Sequence, residues 1–103
     1  MSEAPNPARG EAVFVIGGVA YVVRPSFAAL VAAEGEVGPL LALVDRAAEG
    51  KLTLAEMAAL LWHCLSDRTV SREALGEALV AQGVAAALPA LRAILRQVLT
   101  GGT

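Results

Sequence analysis

The apolar positions follow two rhythms along the chain, a short alternating one and then a long helical one. Two runs rich in β-branched and aromatic residues, Glu11 to Ile16 and Val19 to Arg24, are separated by Gly17-Gly18. Two such runs around two glycines predict a β-hairpin over 11–24, because a tight primed turn needs positive φ at both central residues. Alternation carried through the turn puts Val13, Val15, Val19, Tyr21 and Val23 in one set and Phe14, Ile16, Ala20 and Val22 in the other. Both sets are apolar, so the hairpin is expected to be covered on both faces or paired along an edge.

From Pro25 onward the spacing becomes three to four. Ser26 is placed to cap a short helix, about 26–34, that Gly35 ends. Gly38-Pro39 opens a second helix, 39–49, with Leu40, Leu43, Val44 and Ala47 on one stripe and Gly50 beyond its end. A third helix, 54–66, has the clearest start: Thr53 and Glu56 have the spacing of a capping box. It is apolar almost all round, with Glu56, His63 and Asp67 as its polar strip, which predicts a central position. Ser71 caps a fourth helix, 72–82, with Leu75, Ala78 and Leu79 inward. A fifth, within 84–100, carries Leu88, Leu91, Leu95 and Val98, with Arg92 and Arg96 one turn apart on another face. Pro89 leaves two starts open, near Val84 with a kink or at Leu88 with proline in the first turn. The fold class is therefore mainly α with an N-terminal β-hairpin (α+β): a bundle of four to five helices in one domain over 11–100. Residues 1–10, with Pro5, Asn6, Pro7 and Gly10, read as a disordered lead-in.

Composition changes this picture in one respect. Hydrophobic residues are 56% of the 103, and 22 residues are alanine. A chain this short hides only about 60–65% of the surface its unfolded form exposes. Apolar surface should be left over, and such surface usually marks an interface. The expectation is self-association, giving a homo-oligomer, or a hydrophobic protein partner. Membrane insertion would need about 18–20 consecutive apolar residues. The longest charge-free stretches, Ala12 to Val23 and Ala78 to Leu91, are shorter and interrupted. Residues 1–10 lack the apolar core of a signal peptide. The chain is thus expected to be soluble and cytoplasmic, without a membrane partner. Its net charge of −2 and eight scattered basic residues argue against nucleic acid.

Candidate chemistry is sparse. His63 and Cys64 are each the sole residue of their type, and neighbours on a helix lie about 100° apart, so they do not face each other. Zinc needs three or four ligands. Gly17-Gly18 lacks phosphate-loop spacing and joins strand to strand. Glu34 and Glu36 read as solvated turn charges. No catalytic, metal or cofactor site is expected, and the chain reads as non-enzymatic. The residues singled out for contact with a protein partner are Tyr21, Arg24, Phe27, Trp62, Leu88, Leu91 and Leu95. For Trp62 and the Leu88–Val98 stripe, core packing is the first reading and partner contact the second.

The order of these pieces resembles a known family. Arg9-Gly10-Glu11, a hairpin through Gly17 to Tyr21 and Arg24, a short helix with Ala29-Leu30 and Glu34, and Gly38 before a leucine-rich helix are similar to the small tail proteins of gene transfer agents. These agents are the phage-like particles of α-proteobacteria. A helix like Leu54 to Leu65 also fits, so the resemblance spans about residues 9 to 100. The chain departs from the pattern at Pro25-Ser26-Phe27, where a Thr-Leu pair is usual, and at Ser66-Asp67-Arg68-Thr69, where a glycine-rich loop is usual. The family carries two labels, tail-tube component and tail assembly chaperone. A chaperone would coat the long helical tape-measure protein until tube subunits polymerise around it. The resemblance thus implies a non-enzymatic bacterial protein, cytoplasmic or associated with phage-like particles, with the tape-measure or another tail protein as partner. The alternatives are a structural tail component, although tubes are normally built from β-rich subunits in closed rings, and a regulatory binding module unrelated to phage.

Overall fold

The structure, a computed structural model, describes residues 11–101; the expected lead-in over 1–10 lies outside them. Strands β1 (Ala12–Ile16) and β2 (Val19–Val23) form an antiparallel hairpin. Helices follow in the order α1 (Phe27–Val37), α2 (Leu40–Ala48), α3 (Leu54–His63), α4 (Arg72–Gln82) and α5 (Val84–Thr100). The turn glycines take φ of 58° and 81°, as a primed hairpin turn requires.

The hairpin register corrects the face assignment. Ile16 pairs with Val19, Phe14 with Tyr21 and Ala12 with Val23. A two-residue turn sets an even-numbered residue opposite an odd-numbered one, so the sets exchange partners across it. One face carries Ala12, Phe14, Ile16, Val19, Tyr21 and Val23, and of these Phe14, Ile16 and Val23 are buried. The other carries Val13, Val15, Ala20 and Val22, with Val13 and Val15 about 40% exposed. The hairpin is covered on one face rather than two. Its β2 edge is paired, however: Ser66 donates its backbone N–H to Val22, Arg24 donates to Cys64, and Leu65 forms a β-bridge with Val23. This pairing ends α3 at His63, three residues before the expected Ser66.

Three local signals act as their chemistry dictates. Ser26 Oγ accepts from the Ala29 N–H at 3.2 Å, and Ser71 Oγ accepts from Ala74 at 3.0 Å. Thr53 and Glu56 form the full capping box, with bonds of 3.1 and 3.0 Å. The glycine that ends α1 is three residues later than expected. The helix runs through Gly35 and stops at Gly38, whose φ of 91° is a conformation that residues with a Cβ avoid. Glu34 and Glu36 therefore lie on the last turns of a helix, not in a loop. Pro39 stands outside α2 as its N-cap. The end of α2 closes as a Schellman motif, in which Lys51 donates to Arg46 and Gly50 to Ala47.

Between the two starts left open for α5, the chain takes Val84 and carries Pro89 inside the helix. Its burial falls on Ala87, Ala90, Leu91 and Ile94, whereas Leu88, Leu95 and Val98 are half-buried. One continuous core joins these residues to Phe14, Val23, Leu43, Leu60, Leu61, Leu75 and Leu79. Ala33, Ala59, Ala87 and Ala90 are all buried. Helix α3 brings three residues wholly out of water, Ala59, Leu60 and Leu61, as its nearly all-apolar surface predicts.

Candidate functional site

Two surfaces border α3, and they differ in kind. The first is an apolar groove of about 370 Å³ between α2, α3 and α5. Ala47, Leu52 and Met57 form one wall, and Val84, Leu88, Leu91 and Leu95 of α5 form the other. Arg92 stands at its rim. Side chains three and four apart share a helix face, so Leu88, Leu91 and Leu95 are consecutive contacts along one line. Three of the residues singled out from the sequence thus meet in one concave surface. Its other wall was not legible in the sequence. Leu52 and Met57 flank the capping box and carry no motif, and only folding sets them against α5.

The second surface is polar. Glu36, at the end of α1, accepts from both terminal nitrogens of Arg72 on α4 at 2.7 and 2.9 Å. It also receives His63 Nε2 of α3 at 2.8 Å. An ionised carboxylate only accepts, so Nε2 carries the proton; Nδ1 is buried without a partner among the described residues. The hydrogen bonds from Arg72 first, then from His63, hold the Glu36 carboxyl at about 2, well below its ordinary 4.5. The same pairing raises the Arg72 guanidinium. Arg72 and Arg68 lie 4.8 and 5.0 Å from the centre of the Trp62 ring, within cation–π range. The Trp62 indole N–H donates to the Val70 carbonyl at 3.0 Å. Trp62 is half-buried against the core, so it serves as a packed strut rather than a bare anchor. His63, in the polar strip of α3, is largely buried, its side chain only 12% exposed.

Cys64 is buried, and burial pushes its thiol up to about 12. A thiol so protonated is a poor nucleophile, and the one histidine is committed to Glu36. Among the described residues no group of three His, Cys, Asp or Glu is placed to hold a metal ion. No single described helix is long and apolar enough to cross a membrane; α1 and α2 reach that composition together but are bent by 76°.

The remaining singled-out residues lie at the hairpin–helix junction. Arg24 Nε donates to Glu11 at 2.7 Å, and Glu11 is itself buried. Arg24 and Phe27 border a cavity of about 280 Å³ with Pro25, Ser26 and Gln97, and Phe27 is 84% exposed. Tyr21 is half-buried on the inner face of the hairpin. The structure thus places Leu88, Leu91 and Leu95 together, Arg24 and Phe27 together, and Trp62 in the polar cluster.

The model of a family described as phage tail tube protein, GTA-gp10, matches residues 9–101. The chain belongs to this family. The match takes in the hairpin, both surfaces beside α3 and all of α5. No curated protein matches the chain, and no solved structure does.

Proposed function

We propose that this gene transfer agent tail protein works by binding, without catalysis, as an assembly chaperone for the tape-measure protein. The observation that carries the reading is the apolar groove beside α5, lined by Leu88, Leu91 and Leu95. Its mostly apolar lining, with leucines at helical spacing, suits one apolar face of a client helix. The scarcity of β structure supports a chaperone over a tube subunit. The described chain has two five-residue strands, whereas closed tube rings are normally β-rich. The chaperone would act in the bacterial cytoplasm, holding its client until the tube encloses it.

Co-expression with the tape-measure protein tests this reading. Wild-type protein should co-purify with it, and Leu88→Asp/Leu95→Asp should lose the capture while keeping its helical circular dichroism. Purified particles should lack the chain. Failure to co-purify, with the chain present in particles at a fixed stoichiometry, would replace this reading with a structural tail component.

A further inference from the structure

Several charges of the fold pair with one another, while among the described residues four on α4 and α5 do not. Arg46 pairs with Glu56, Lys51 with Glu49, and Arg72 with Glu36. Among the described residues, Glu73 and Glu77 of α4 and Arg92 and Arg96 of α5 form no ion pair, and all four are exposed. At about 100° per residue, Glu73, Glu77 and Val80 fall on one stripe of α4, and Val80 is 67% exposed. By the same geometry Leu88, Leu95 and Leu99 form a stripe on α5, flanked on one side by Arg92 and Arg96. Leu99 is 56% exposed. The acidic pair and the basic pair each have a spacing of four residues, about 5–6 Å, so they match in pitch as well as in sign. Each stripe also offers apolar groups beside its charges.

We infer that the groove beside α5 takes the outer face of α4 from a second copy of this chain. Glu73 and Glu77 of one copy face Arg92 and Arg96 of the next, and Val80 seats on the leucine stripe. The donor face and the acceptor groove are different patches, so the contact is heterologous: copies join head to tail, and the array closes as a ring or grows as a chain. One helix face in one groove is at the small end of interface sizes, so the association is weak and dynamic. It rests on the reading of the groove as a protein-docking site. In that setting it gives the groove an occupant that an incoming client displaces.

Charge reversal tests the pairing with the full-length chain. Sedimentation velocity across a dilution series should show reversible association that weakens as salt rises. Glu73→Lys/Glu77→Lys and Arg92→Glu/Arg96→Glu should each be monomeric under conditions where wild type associates. An equimolar mixture should associate again, because each variant supplies the surface that the other now fits. All substituted residues are exposed, and circular dichroism confirms that each variant is folded. Strictly monomeric wild type at low salt, association unmoved by either reversal, or a mixture that stays monomeric would each overturn the inference. Capture of the tape-measure protein by Glu73→Lys/Glu77→Lys separates the two readings. It should persist, since that variant keeps its groove; its loss, with self-association also lost, would count against two separate occupants of one groove.

Discussion

Helix α3 has a polar neighbour on one side and an apolar one on the other, and the two sides are finished differently. Toward α1 and α4, Glu36 gathers His63 and Arg72, and Trp62 carries Arg68 and Arg72 on its ring. Among the described residues, two buried side-chain nitrogens there, His63 Nδ1 and Arg72 Nε, are left without a hydrogen-bond partner, and the other strong groups are paired. Toward α2 and α5, Leu88, Leu91 and Leu95 line a groove whose rim arginine, Arg92, forms no ion pair among the described residues. A satisfied network locks elements together and has little left to offer a ligand. An open apolar groove with unmatched charges keeps its binding capacity for another molecule. The polar corner is therefore read as the latch of the fold, and the groove as its working surface.

The strongest way to break this contrast is to cut beneath the groove rather than in it. Ile94 is fully buried on the inward face of α5, and Ile94→Ala should cost about 2–5 kcal/mol of stability in denaturant unfolding. Leu95→Ala, one residue along on the groove wall, should cost about 1 kcal/mol or less, because that side chain is already half in water. Equal costs would mean that the groove wall is core. A smaller effect is expected at the start of α3, the helix both sides share. Thr53→Ala removes a cap and should cost about 1 kcal/mol without changing which partner is bound.

The smallest effect sharpens the latch. The Glu36 carboxyl titrates at about 2 in the folded chain and near 4.5 when unpaired. The unfolded chain therefore takes up this proton first as pH falls, and the stabilisation is complete above pH 4.5 and lost toward pH 2. Glu36→Gln should reduce stability at neutral pH by about 0.5–1 kcal/mol, in keeping with an exposed ion-pair site. It should also flatten the loss of stability between pH 4.5 and 2, measured by thermal unfolding at each pH. Client capture at neutral pH should be unchanged. A variant with the same acid profile as wild type would show that Glu36 is not the group that senses this range. Cys64 offers a null measurement for the same corner: a thiol-specific reagent should label it only as fast as the chain unfolds.

Much of this architecture was legible because its signals are local. Ser26, Ser71 and the Thr53–Glu56 box each act within three residues, and Gly17-Gly18 fixes its own turn. Errors arose where two glycines competed. Gly35 and Gly38 are both plausible helix ends, and the helix continued through the first because its φ there remains helical. The hairpin faces were misread although the turn length already determines them, since a two-residue loop reverses the parity of opposing residues. Leu88, Leu91 and Leu95 were visible as a stripe, but a stripe has the same spacing whether it is core or surface.

What the sequence determined by itself is the set of elements and the absence of a motif for chemistry: capping side chains, turn glycines and apolar spacing act over a few residues and carry their own physics. Tertiary structure decided what each element meets. Glu36 reaches His63 and Arg72 across 27 and 36 residues, and Leu65 bridges Val23 because α3 delivers it to the hairpin edge. It also decided which face of α5 stays open, since Ala87, Ala90, Leu91 and Ile94 are buried and Leu88 and Leu95 are left half-buried at the groove. Those outcomes depend on how packed helices divide a shared core, and that division is a property of all the elements together.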